Sequence, residues 1–180
     1  MTTFFFDQID ELKKQLSIEL EQKKEIDEQD CIEAIYEILL LAYVYGVEDV
    51  NEMLGISAKP NAGKLKDALA KKYDGKDYTD RIIEYAMLGD IEGIIRVAET
   101  EAHRLYMTSA FATAKENGAT MKTWNAVGDE KTRDTHIDID GVEIPIDTPF
   151  VTFDGDEAMF PGDFSLASNN ANCRCDLLFG

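Results

Sequence analysis

Basic side chains are scarce in this chain: 18 lysines and arginines face 36 aspartates and glutamates, a net charge of −18. The deficit is uneven. Residues 1–60 carry 5 basic and 14 acidic groups, residues 61–118 carry 9 and 10, and residues 119–180 carry 4 and 12. Two acidic ends repel a phosphate backbone, so broad DNA contact by this chain alone is disfavoured. The charge serves solubility, or docking onto a basic partner surface. Long apolar runs are missing as well. The longest, residues 38–44, falls far short of the roughly 20 residues that span a bilayer, which predicts no membrane segment. The start, Met-Thr-Thr-Phe-Phe-Phe-Asp, has no basic region before its apolar residues, and so predicts no signal peptide and synthesis in the cytosol. Cysteine is rare and odd in number. There are three, two of them in a C-x-C, which argues against a disulfide framework. The 180 residues that remain to be explained are 44% hydrophobic and 30% charged, enough to build one compact unit or two small ones.

Phe5, Ile9, Leu12, Leu16 and Leu20 recur at steps of three or four and predict an amphipathic first helix. The apolar start Phe4-Phe5-Phe6 fits either an anchor for a partner or packing on the chain's own helices. Asp27 or Asp30 caps a second helix, with Ile32, Ile35, Leu39 and Ala42 inward and Gly46 as its end. A short third helix over 47–54 closes at Gly55. The turn formers in Ser57-Ala-Lys-Pro60-Asn-Ala-Gly63 mark a boundary between an N-terminal helical segment, 1–60, and a domain over 61–180. Residues 64–73 then predict a basic-faced helix broken at Asp74-Gly75, and Tyr78-Thr79-Asp80 caps another that runs to Leu88. Gly89-Asp90 ends that helix and caps the next. From Ile91, the series Ile95, Ala98, Ala102, Leu105, Ser109 and Ala112 alternates four and three, defining a central helix of about seven turns.

After Gly118 the period changes to that of short extended pieces. Residues 120–126 predict a strand, 137–144 a hairpin turning at Asp140-Gly141, 150–153 a short strand, and 175–179 a closing one. The class is α+β: an N-terminal helical segment, a long central helix, then a small and mostly antiparallel sheet.

Chemistry concentrates in this last third. His136, Cys173 and Cys175 offer the imidazole and thiolates that zinc prefers. A fourth ligand would come from His103 or from a carboxylate such as Asp134 or Asp138. The alternative is that both cysteines pack and His136 is hydrogen-bonded in a turn. Cys31 reads as a buried small hydrophobe and Trp124 as a core anchor. The many aspartates match no calcium-loop spacing and read as a solvated face. Arg133 and Arg174 read as forks onto carboxylates that pin loops. A transferase or nuclease site from His136, Arg133 and Glu99 or Glu101 lacks any nucleophile motif or phosphate loop.

A set of separate motifs occurs in order: Arg96-Val-Ala-Glu-Thr-Glu101, Gly118, Trp124, Asp129, Thr132-Arg133, His136, Asp140-Gly141, Phe160-Pro161-Gly162 and Asn172-Cys173-Arg174-Cys175. In these, residues 90–180 resemble the phage Mu F-like minor head proteins, also called head morphogenesis or minor capsid proteins of tailed phages. The resemblance implies a non-enzymatic virion or procapsid component, made in the host cytoplasm and associated with the portal vertex. Its implied partners are the portal protein and other head proteins in a multimeric assembly, and its implied work is head assembly and DNA packaging or delivery. The positions carried over are Trp124, Asp129, Arg133, His136, Gly141, Pro161, Asn172, Cys173 and Cys175, without a catalytic role. The competing expectation is a toxin-type enzyme or effector acting on nucleotide or nucleic acid through Arg133 and His136.

Overall fold

The computed structural model describes residues 3–73 and 75–180, with side chains from residue 5 onward. Five helices come first: α1 (Thr3–Lys23), α2 (Glu28–Leu54), α3 (Ala62–Leu69), α4 (Tyr78–Met87) and α5 (Ile91–Glu116). The apolar stripe of α1 is buried as its spacing requires, with Phe5, Ile9, Leu12 and Leu16 all at most 6% exposed. Phe5 stacks beside Phe6, ring centroids 4.7 Å apart, and lies 6.3 Å from the Tyr106 ring of α5. Phe5 is therefore spent on the chain's own core; the Phe4 side chain lies outside the described residues.

Asp27 caps α2 by accepting a hydrogen bond from the Asp30 amide at 3.0 Å. Gly46 does not end this helix. One continuous α2 runs to Gly55, which closes it in the left-handed region at φ 65°. Gly46 is instead a point where α2 packs tightly against α5. A Cβ there would lie inside van der Waals contact of the Ser109 hydroxyl and the Tyr106 carbonyl. The glycine has a packing reason that its reputation as a helix terminator conceals.

α3 is shorter than its composition suggests. Asn61 caps it by accepting from the Gly63 and Lys64 amides, and it ends at Ala70; Asp74, expected as a breaker, lies outside the described residues. Asp77, not Tyr78, caps α4. Its carboxylate accepts from Thr79 and Asp80 amides while the Asp80 carboxylate accepts from the Asp77 amide, a reciprocal box. Asp90 caps α5 through the Gly93 amide.

The C-terminal part contains β1 (Met121–Asn125), a single helical turn α6 (Asp134–Ile137), β2 (Glu143–Pro145), β3 (Phe150–Val151), β4 (Glu157–Ala158), a turn α7 (Ala167–Asn170) and β5 (Asp176–Phe179). The main sheet has the order β2-β1-β5 with both pairings antiparallel, and β3 and β4 form a separate small hairpin. The hairpin expected over 137–144 does not form. Residues 134–137 coil into α6, leaving Ile137 exposed and Ile139 buried. Gly141, at φ 71°, then turns the chain so that its amide donates to the Trp124 carbonyl at 2.9 Å. Trp124 in turn donates to the Val142 carbonyl, so the segment pairs with β1 rather than with itself.

α5 is the axis of the molecule. Residues all around it are buried, from Gly93 to Ala114, and α1, α2, α3, α4 and β5 all pack on it. One apolar cluster runs from Phe5 to Leu177 and takes residues from both sides of position 60.

β1 carries a cation into this interior. Lys122 is fully buried; its ammonium donates to the Met159 carbonyl at 2.7 Å and sits 4.8 Å over the Phe111 ring and 5.1 Å over the Phe150 ring. Burial pushes its pKa down to about 8.

Gly46→Ala should destabilise the protein by about 1–3 kcal/mol, because the clash at the α2–α5 crossing outweighs alanine's better helix propensity. Urea unfolding reads this as a lower midpoint; an unchanged or raised midpoint would mean the two helices are free to separate. Lys122 gives a second expectation. Between its folded pKa near 8 and its unfolded value near 10.5, only the unfolded chain holds the proton, so its contribution to stability rises with pH. Wild type measured against Lys122→Met across that window should therefore gain stability as pH rises; parallel curves would show that the ammonium is hydrated.

Candidate metal centre

Two parts of the chain deliver one cluster of ligating atoms. His136 comes from α6. Cys173 and Cys175 come from the extended stretch between α7 and β5, where alternate residues face the same side, so both sulfurs point inward and Arg174 points out. His136 Nδ1 lies 3.6 Å from Cys173 Sγ and 3.3 Å from Cys175 Sγ. The candidate ligand atoms of all three lie within 4.8 Å of one another, and the residues are 1%, 4% and 3% exposed.

Aromatic rings hold the imidazole in place. It stacks on Phe164 at 5.4 Å and 21°, and meets Trp124 edge-on at 5.3 Å. Trp124 also meets Phe150 edge-on at 5.1 Å. Behind the cysteines, His103 of α5 donates from Nε2 to the Cys175 carbonyl at 2.8 Å, and burial pushes its pKa down to about 4, so it stays neutral. The two sulfurs sit in unlike surroundings. The Cys173 thiol and then the His136 ring favour a thiolate at Cys175, which draws its pKa down despite its burial. Cys173 is correspondingly held well above its usual range, first by that hydrogen bond and then by burial.

The remaining signature residues tie this cluster to its surroundings. Asp129 accepts from Arg174 at 2.6 Å and from the Lys131 amide, and the arginine holds its carboxyl far below the usual range. Arg133 donates to the Ala171 carbonyl, which fixes α6 against the loop that follows α7. Asn172 sits at φ 55°, the left-handed geometry that lets the chain turn into Cys173. Gly141 secures Trp124, and Pro161 is buried beside Gly162, whose carbonyl accepts from Tyr73.

The nominated fourth ligands lie elsewhere. His103 holds a backbone carbonyl, and Asp134 and Asp138 are exposed. Glu101 is also committed, accepting from Arg104 and from Arg81 at 2.6 Å each in a buried ion trio. Glu99 and Arg133 do line one cavity of about 560 Å³ with Lys131 and Asn172, but His136 does not reach it.

Phe164, Asn169 and Asn170 carried no expectation, and Asp156, one of the aspartates expected on a solvated face, is buried instead, 5% exposed. Asn170 accepts from the Phe164 amide and donates to the Phe164 carbonyl, which fixes the ring under His136. Asp156 accepts from Ser165, from the Leu166 amide and from Asn169, and Asn169 accepts from Thr135 of α6. Only the Asp-x-Asp pair at 154 and 156 and the Asn169-Asn170 pair carried a signal, and neither spacing indicates a partner.

Comparison with known proteins finds two relatives and one family. An alignment over 127 residues that covers 62% of the chain is 36% identical to NAD(+)--arginine ADP-ribosyltransferase EFV of Enterococcus faecalis (strain ATCC 700802 / V583), covering 26% of that protein. Another, of 85 residues or 46% of the chain, is 33% identical to minor head protein GP7 of Bacillus phage SPP1, covering 28% of it. The chain thus spans about a quarter of the length of either relative. No solved structure matches it. The family described as Phage Mu protein F like protein matches residues 61–178, well over half of the chain, and the chain belongs to that family.

Proposed function

We propose that this protein is a minor head protein of a tailed phage, associated with the portal vertex and acting in head assembly and in DNA packaging or delivery. The observation that carries the reading is membership of the family over residues 61–178, together with the likeness to the SPP1 minor head protein. The portal protein and other head proteins are its partners, in a multimeric assembly located in the virion. The N-terminal helices dock on the partner while the α+β part serves as a rigid module.

The chemistry of the signature residues supports a structural role. Each is engaged with another part of the same chain: Arg133 with a carbonyl, Arg174 with Asp129, and His136 with two sulfurs between two rings. The activity named for the E. faecalis relative belongs to a protein most of which lies beyond the match. The excess of 18 negative charges supports protein contacts over wide contact with DNA.

Co-expression with the portal protein of the same phage should give a complex that co-elutes at a fixed ratio. Clean separation from a folded portal protein would contradict the assignment. Incubation with NAD+ and an arginine-containing acceptor should leave the acceptor unmodified; label transfer that Arg133→Ala and His136→Ala abolish would establish the enzymatic reading instead.

A further inference from the structure

We infer that His136, Cys173 and Cys175 hold a zinc ion, which the head-protein reading neither requires nor implies. Around a tetrahedral zinc with its usual bond lengths, an imidazole nitrogen and a thiolate sulfur stand roughly 3.5 Å apart. His136 Nδ1 stands 3.3 and 3.6 Å from the two sulfurs. Such short separations, all within one pocket, bring three ligating groups to a common centre.

Burial sharpens the argument. A polar group taken out of water needs a partner, and buried polar atoms without one are rare. Among the described residues, only Trp124 Nε1 and His136 Nε2 are buried side-chain nitrogens or oxygens lacking a hydrogen bond, and both belong to this cluster. Neither atom would ligate the ion, because Nδ1 is the nitrogen that faces the two sulfurs. Two sulfurs and an imidazole with few partners besides one another are poorly matched as hydrogen-bonding groups, and well matched as ligands of a borderline-soft cation.

The surroundings resemble those of a built metal site. His103 fixes the Cys175 backbone, Arg133 fixes the loop ahead of Cys173, and the Phe164 and Trp124 rings set the plane of the ligating imidazole. Among the described residues the cluster offers three protein ligands. Beside it lies a cavity of about 10 Å³, lined by Thr132, Arg133, Asn172 and all three ligands. That is room for about one water molecule, which completes a four-coordinate ion. The ion would clip α6 to the β5 end of the chain across 37 residues of sequence. Both sulfurs bind as thiolates, so any thiol proton still held when the ion enters passes to solvent.

Elemental analysis of the full chain, purified without chelator, tests this directly. One zinc per chain is expected, falling to a small fraction in Cys173→Ser and in Cys175→Ser and remaining in Cys31→Ala, whose sulfur lies in the α2 core. Should the serine variants fail to fold, cobalt titration of the wild-type chain decides. A thiolate-to-cobalt charge-transfer band saturating at one equivalent supports the site. Folded wild-type protein that carries no metal and gives no such band would overturn it, as would an intact mass two hydrogens low from a Cys173–Cys175 disulfide. A different metal at one equivalent would overturn the assignment of zinc.

Discussion

Burial of α5 on all its sides is the constraint on which the rest of this structure depends. A helix that is apolar or committed around its whole circumference has no solvent face, so other elements must cover it. α1, α2 and α4 do so along the N-terminal side, and the C-terminal sheet does so through β5 and His103. Polar groups on α5 are tolerated because each has a partner: Glu101 with Arg104 and Arg81, Ser109 with the Tyr106 carbonyl, and His103 with the Cys175 carbonyl. Removing one partner of the Glu101 trio would leave a buried charge unpaired, which is costly even where the pair itself adds little.

The signature residues form the second centre of organisation. Trp124, His136, Cys175 and Phe164 make its interior, while Gly141, Arg133, Asn172 and the Asp129–Arg174 pair close the turns around it. Sequence motifs separated by up to fifty residues are thus one physical object. Their common task is to fold a strand-poor segment back onto α5. The sheet has three short strands packed on α5 through β5, and the aromatic and polar contacts around His136 add to what holds the segment there.

Much of the helical scaffold was legible because its signals are local. The spacing of Phe5 to Leu20 and of Ile91 to Ala112, and caps at Asp27 and Asp90, act within a few residues. Gly46 misled because its reason is a neighbouring helix, invisible along the sequence. The 137–144 region misled because Ile137 and Ile139 satisfy a strand's period while Arg133 and Asp134 start a helical turn. The cluster of His136, Cys173 and Cys175 was legible from residue type. Its supports were not: Phe164 and Asn170 become meaningful only once the loop after β4 is folded beneath the imidazole.

Native-state hydrogen exchange tests most directly whether the signature cluster and α5 are one cooperative structure. The account predicts that the Trp124, Gly141 and Leu177 amides exchange only through the same global opening as the amides of Ala102 and Leu105. If the sheet amides exchanged through a separate, much cheaper opening while α5 stayed protected, the cluster would be a loosely attached appendage and the account would fail.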